Sequence, residues 1–326
     1  MPVKVAEEWL NICAGCEISI LDIGEPFLDI LPKLEFVHMP VIMDHKYFGQ
    51  TGEKTQMEIP QADVGIISGG VRNEKEKHVA EEMRNKCKTL ISLGSCACFG
   101  GIPAMANMWK LDELYDKVYR DSITTEKADT PKENLPPLLD KVLAVDEVVK
   151  VDLVIPGCPP SPDWIAEALT CLLTGKEFKL PEKSVCDECP TKREKKASGG
   201  QLKRPLESAD FKQGEPWENT RCLMEQGYLC LGPVTRAGCA GMVEKGETQV
   251  PRCIKGYMPC RGCFGPIRKG ANPLVDMMTA ISSIGLDAKQ VVDRRALLNR
   301  YIGAQGRLKP LPQRKPQPGA RPQPRA

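Results

Sequence analysis

Fifteen cysteines in 326 residues are the first chemistry this sequence offers, and their spacing sorts them. Cys13 and Cys16 form C-A-G-C, Cys96 lies in the glycine-rich stretch GSCACFGG, and Cys158 lies in GCPPSP. The second half brings Cys186-x-x-Cys189, Cys222, Cys230, Cys239, Cys253 and Cys260-x-x-Cys263. Thiolates are soft ligands, and cytoplasmic thiols are kept reduced, so an excess of this size points to soft-metal ligation rather than disulfides. The three histidines, His38, His45 and His78, all fall in the first half, so every ligand expected in the second half is sulfur.

The elements that position these residues alternate between strands and helices. KVAEEWLNI, LEFVHMPVIM, ADVGIISGG, KTLISLG and VDLVIPG read as strands. NEKEKHVAEEMRNK reads as a helix capped by Asn73, with Glu74 and Glu76 in its first turn and Arg84 and Lys86 in its last, the order a helix dipole favours. Ser161-Pro162-Asp163 opens DWIAEALTCLLTG, with proline at the first helical position and Gly175 closing it. Such alternation predicts an α/β fold, a parallel sheet with helices on both faces. Ligands of open parallel sheets bind in the crevice beyond the strands' carboxyl ends. Cys13, Cys16, Cys96 and Cys158 each follow a strand, so four thiolates can meet there around one metal centre. Within GSCACFGG, Cys96 ends a strand and faces the crevice, whereas Cys98 lies deeper and packs as a small hydrophobe.

From about residue 181 the texture changes. Residues 191–220 are polar and weakly periodic, and cysteine, glycine and proline then dominate. The expected organisation is a first domain over 1–180, a loop-rich metal-held domain over 181–300, and a disordered basic, proline-rich tail over 301–326. The eight cysteines of the second domain make two sets of four. Paired C-x-x-C motifs also build structural zinc sites, but the irregular spacing here suits an iron–sulfur cubane, whose irons sit on separate corners. Cys87, Cys98 and Cys171 remain as buried thiols.

Net charge is +2, and the six Lys/Arg from Arg307 onward leave a body netting −4. With 5% aromatics, that body offers neither a basic face nor stacking platforms for nucleic acid. No apolar run is long enough to cross a bilayer, and the start carries neither a secretory nor a twin-arginine signal, so the expected location is the cytoplasm.

At C-A-G-C-E, G-S-C-A-C-F-G-G and G-C-P-P together, the sequence resembles the small subunit of nickel–iron hydrogenases, over nearly all of residues 1–300. The resemblance implies a flavodoxin-like domain with a proximal 4Fe–4S cluster on Cys13, Cys16, Cys96 and Cys158. It implies a distal 4Fe–4S cluster on Cys186, Cys189, Cys222 and Cys230, with Cys186 where respiratory members carry histidine. The medial cluster falls to Cys239, Cys260 and Cys263, with Cys253 near the corner that faces a proline in respiratory members, hence 4Fe–4S rather than 3Fe–4S. These departures are similar to the methyl-viologen-reducing type of methanogens, which does not reduce the deazaflavin coenzyme. That similarity implies a nickel–iron large subunit as partner and electron relay to a ferredoxin-like delta-type or flavin subunit. Heterodisulfide reductase is the expected final recipient, and the nickel–iron centre and flavin are expected on partners, with no catalytic residue in this chain. Glu17, directly after Cys16, reads either as a proton relay at the subunit boundary or as a solvated or salt-bridged carboxylate. The competing readings are a quinone-linked subunit resembling that of complex I, which has no eight-cysteine domain, and a zinc-stabilised interaction module.

Overall fold

The structure, a computed structural model, describes residues 2–308 apart from 125, 205–209, 243–247 and 269. Seven strands run along the described chain: β1 (Val3–Trp9), β2 (Leu34–His38), β3 (Ala62–Ser68), β4 (Val71–Asn73), β5 (Cys87–Leu93), β6 (Leu138–Leu143) and β7 (Leu153–Ile155). Five of them form one parallel sheet in the order β2-β1-β3-β5-β7. Ranked by sequence this is 2-1-3-4-5, the flavodoxin-like order, with its switch point between β1 and β3. The near-continuous burial of β3 and β5 is what a parallel sheet covered on both faces requires. An antiparallel pair of β4 and β6, which sequence periodicity did not reveal, stands beside the main sheet.

Helices α1 (Gly15–Leu21), α2 (Glu25–Ile30), α3 (Glu74–Lys86), α4 (Gly94–Phe99), α5 (Leu111–Tyr115) and α6 (Pro162–Thr174) complete the first domain. Val79, Ala80 and Met83 of α3 pack on Ala6, Ile67 and Leu90, filling one face of the sheet. Ile165, Ala168 and Leu169 of α6 pack on Val5, Ile66 and Ile91 on the other. As expected, Asn73 caps α3: its Oδ1 accepts from the Glu76 N–H at 2.8 Å while the Glu76 carboxylate accepts from the Asn73 N–H at 3.2 Å. Gly175 closes α6 in the left-handed region.

Two strands end earlier than their apolar runs. β1 stops at Trp9 because the chain turns toward Cys13, with Asn11 bridging to Gly70. β2 stops at His38 because Pro40 has no N–H for the ladder and disfavours regular backbone at Met39. The excursion that follows is pinned back to the sheet by buried Glu8. One carboxylate oxygen pairs with His38 Nε2 at 2.5 Å, and the other accepts from Tyr47 Oη at 2.7 Å.

The second half holds four short helices, α7 (Val185–Glu188), α8 (Arg252–Lys255), α9 (Pro273–Ser283) and α10 (Arg294–Leu298), among loops. Its core joins Met277 and Ile281 of α9 to Leu231, Val234, Cys230 and Cys260. Residues 301–308, expected to begin the disordered tail, are folded. Ile302 and Leu308 are buried, Ile302 bridges to Gly101, and the Ala304 N–H donates to the Phe99 carbonyl at 3.0 Å. An apolar Tyr-Ile-Gly-Ala segment inside a basic stretch was enough to anchor the chain. Residues 309–326 lie outside the described residues. No described helix is long and apolar enough to cross a membrane.

Replacing Asn73 with alanine removes the cap of α3 and is expected to lower stability by about 1 kcal/mol. Urea denaturation of the variant beside the parent checks it, and coincident curves would remove the cap from the account.

Candidate metal centre

The loops beyond β1, β5 and β7 converge. Cys13 and Cys16 stand at the start of α1, where Ala14 takes a left-handed conformation (φ 73°). Cys96 stands in α4, and Cys158 stands after β7. The last two loops are tied together, with the Ser95 N–H donating to Gly157 O at 2.8 Å and the Gly157 N–H donating to Ser95 Oγ at 3.2 Å. The four thiols lie within reach of one another's fields. Burial pushes the Cys16 thiol far up, with the Glu17, Cys96 and Cys158 charges adding to it. Cys96 is pushed up to about 12, by burial first and then by Cys158 and Cys13. Two glycines clear the space: a Cβ on Gly94 would strike the Cys16 sulfur, and one on Gly101 would strike the Cys96 sulfur.

Cys186, Cys189, Cys222 and Cys230 surround a cavity of about 310 Å³ in the second domain. Ser184 and Asp187 fix the start of α7, Ser184 N–H donating to the Asp187 carboxylate at 2.7 Å, and so aim Cys186 inward. A Cβ on Gly232 would come within 2.9 Å of the Cys186 sulfur and 3.7 Å of that of Cys230. Burial holds the Cys186 thiol up, the charges of Cys230, Cys222 and Cys189 add to this, and the Arg193 guanidinium works against it.

Cys239, Cys253, Cys260 and Cys263 form the third group, with Cys253 supplied by α8. Cys263 is pushed up to about 12 by burial and then by Cys253 and Cys239. Cys239 is pushed up to about 11 by burial, then by Cys253. This third group touches both others. Ser95 Oγ, next to Cys96, donates to the Cys263 carbonyl, and the charge of Cys158 acts on the Cys263 thiol. On the other side, the Cys260 N–H donates to Cys230 Sγ at 3.2 Å, and the Leu231 N–H donates to the Cys260 carbonyl at 2.9 Å. The order in space is therefore Cys13/16/96/158, then Cys239/253/260/263, then Cys186/189/222/230. Four thiols brought together by converging loops are a donor set that fits an iron–sulfur cluster, since such clusters are held by thiolates. Among the described residues, no three Cys, His, Asp or Glu side chains sit at the spacing of a single metal ion.

The remaining thiols have other hydrogen-bond or packing partners, although Cys98 lies close enough for its charge to act on Cys16. Cys98 is buried and donates to the Ser92 carbonyl at 3.4 Å, Cys87 opens β5 against Gly65, and Cys171 on α6 contacts Glu167 at 3.5 Å. Glu17 is neither solvated nor salt-bridged. It is buried, its carboxylate accepts from Ser68 Oγ, and it faces the carboxyl of buried Glu7. The second oxygens of Glu7 and Glu17 have no partner among the described residues. Nothing in the sequence signalled this pair, because Glu7 sits in a strand whose outward and inward residues are both buried.

A family model described as "NADH ubiquinone oxidoreductase, 20 Kd subunit" matches residues 13–172, leaving the eight-cysteine half outside it. A subunit of the F420-non-reducing hydrogenase vhu of Methanocaldococcus jannaschii is 41% identical over 92% of this chain and 95% of its own length. The iron-sulfur subunit of the F420-non-reducing hydrogenase of Archaeoglobus profundus is 35% identical, over 92% of this chain and 93% of its own. Among solved structures, a chain of an NAD+-reducing [NiFe]-hydrogenase in the H2-reduced state is similar with a TM-score of 0.50 at 30% identity. That likeness covers 56% of this chain and 96% of the other.

Glu7 is pushed up to about 9, by burial and then by the Glu17 carboxylate. Folded, it keeps its proton through neutral pH, whereas the unfolded chain releases it near the ordinary value of 4.5. The folded state thus binds more protons between these values, and stability falls as pH rises through them, by at most about 1.4 kcal/mol per pH unit. Glu7→Gln, neutral at every pH, is expected to flatten that slope. Denaturation series from about pH 5 to pH 9 read it, and parallel slopes for the two proteins would show Glu7 ionised in the fold.

Proposed function

Because the chain belongs to the family of F420-non-reducing hydrogenase iron–sulfur subunits, the small-subunit type of nickel–iron hydrogenase, we propose that it holds three 4Fe–4S clusters in a row. They would lead from the partner large subunit, where dihydrogen is oxidised, to a ferredoxin-like or flavin-bearing subunit, with heterodisulfide reductase as the final recipient. The observation that carries this reading is a pair of joins, Ser95 Oγ to the Cys263 carbonyl and Cys260 N–H to Cys230 Sγ, which tie three four-thiol groups together as a series. The assignment is Cys13, Cys16, Cys96 and Cys158 for the proximal cluster and Cys239, Cys253, Cys260 and Cys263 for the medial one. Cys186, Cys189, Cys222 and Cys230 hold the distal one.

When bound, each cluster supplies one-electron redox chemistry, dividing a two-electron donor into single transfers. The chain's own residues supply the rest. Thiols raised by burial and mutual repulsion give up their protons only where a cationic core takes the protons' place. The Cys260 backbone N–H donates to Cys230 Sγ, and bonds of this kind tune cluster potential. Glycines 94, 101 and 232 keep side chains out of the recesses. A cavity of about 310 Å³ around four cysteines favours a cluster over the zinc reading, since one ion bound directly by four thiolates leaves no such space. The second domain, outside the matched family model, favours the hydrogenase over the quinone-linked reading.

Anaerobically purified complex is expected to hold about twelve irons in this chain, counting four per four-thiolate cluster, with brown absorbance near about 400 nm. Cys96→Ser is expected to lose or convert the proximal cluster, and Cys98→Ser to keep all of them. Loss of about four irons from Cys98→Ser alone would reverse the two assignments. A colourless protein with zinc would sink the whole reading.

Cys186→His replaces an anionic thiolate by a neutral imidazole, and fewer negative ligands ease reduction, as in histidine-ligated Rieske centres. The distal potential is expected to rise, slowing transfer to a low-potential acceptor while a high-potential dye is still reduced. An unchanged redox titration together with full iron in Cys186→Ser would remove Cys186 from the ligands.

A further inference from the structure

The stretch Lys192-Arg193-Glu194-Lys195-Lys196 carries a net charge of +3 on a body that nets −4 before Arg307. All five side chains are exposed. A charge run of this kind is ordinarily a solvated face, and two features of this one argue otherwise.

First, the loop is built. The buried Glu225 carboxylate accepts from the Glu194 N–H at 2.9 and 2.8 Å and from the Lys195 N–H at 2.6 Å. Arg221 donates to the Lys196 carbonyl at 2.7 Å and to Ser198 Oγ at 2.6 Å. The Lys192 N–H donates to Thr220 O at 2.9 Å, and its carbonyl accepts from the Cys222 N–H at 2.8 Å. Lys195 is held in the left-handed region (φ 59°), which a lysine adopts only where its surroundings enforce it.

Second, the loop sits where electrons would leave. Arg193 and Lys195 line the same cavity as Cys186, Cys189, Cys222 and Cys230, and three of those cysteines are only half-buried. Glu194, the one acid in the run, is taken up by Arg221 at 3.3 Å and Lys192 at 3.5 Å, and Arg193 acts on Asp187, while exposed Lys195 and Lys196 have no ion pair among the described residues. Opposed charge steers encounter and sets orientation in transient complexes, and weak electron-transfer contacts need only a small interface.

We infer that the Lys192–Lys196 loop, fixed over the distal cavity by Glu225 and Arg221, is the landing surface for an acidic electron-carrier protein. This rests on the cluster assignment above and adds the partner's charge and the place it docks. Glu225 and Arg221 are positioning residues, and the exposed lysines make the contact.

The test uses the complex of this chain with its large subunit, and an acidic ferredoxin as the probe. Binding is measured by surface plasmon resonance at low and high salt, with iron content determined on each sample. The parent is expected to bind with an affinity that falls steeply with salt. Lys192→Glu/Lys195→Glu/Lys196→Glu is expected to bind about tenfold or more weakly with a flattened salt dependence. The same three positions changed to Gln are expected to fall between, and changed to Arg to bind as the parent does. Retained iron shows that each variant has kept its clusters, and the Gln and Arg forms carry the test if the Glu form does not assemble. Equal affinity across the charge series, salt-independent binding, or no binding to the parent would overturn the inference. A parent without iron would instead remove the cluster reading, a failure the iron analysis reports separately from the binding curves.

Discussion

Sulfur taken out of water is the constraint from which this architecture follows. Desolvation is the leading cause that raises the Cys16, Cys96, Cys186, Cys230, Cys260 and Cys263 thiols, and each group's own members raise one another further. A buried charge without a partner is among the most destabilising features a fold can carry. These raised sulfurs therefore stay protonated or share a cationic core. In the second domain the dependence runs deeper, because Cys230 and Cys260 belong to the hydrophobic cluster around Met277 and Ile281. That half has little regular structure and one helix of eleven residues, so its sulfurs are both its chemistry and much of its interior.

The joins between groups turn three sites into one series. Ser95, beside Cys96, ties the first group to Cys263 of the third, and the Cys260 N–H ties the third to Cys230. Ser95 binds Gly157 and the Cys263 carbonyl at once, so the loop that positions Cys96 also positions a residue of the neighbouring group. The C-terminal end of the described chain reinforces the same junction. Gln305 reaches the Cys98 carbonyl and Asp146, locking the segment after α10 onto the first domain. Substitutions at these joints are coupled through shared partners, and their effects will not add.

Strand–helix alternation, the Asn73 cap, the Ser161-Pro162 start of α6 and the convergence of Cys13, Cys16, Cys96 and Cys158 were legible because each is a local signal with a geometric consequence. Residues i to i+4 decide a cap, and a strand's carboxyl end decides a crevice. The pairing of β4 with β6 was not legible, because Val71–Asn73 is too short for any periodicity to show. The Glu7–Glu17 contact joins a strand to the first turn of a helix across the switch point, and no local pattern encodes it. The folded residues 301–308 were hidden by the composition of the segment that follows them. In the second domain, spacing identified eight ligand candidates, but their division into two sets depends on loop closures far apart in sequence, such as Lys192 against Thr220 and Cys222.

The two ends of the sulfur series differ in kind. At the first, three buried carboxylates (Glu7, Glu8 and Glu17) cluster at the ends of β1 and α1, and among the described residues His38 is the one cationic candidate paired with any of them. Burial and the neighbouring Glu17 carboxylate raise Glu7, so at this end Glu7 keeps its proton through neutral pH. At the other end, a buried carboxylate is used differently. Glu225 spends its oxygens on the Glu194 and Lys195 N–H groups, lies 3.7 Å from Arg221, and so braces a cationic loop. Acid is thus stored beside one terminus of the series, while positive charge is displayed at the other.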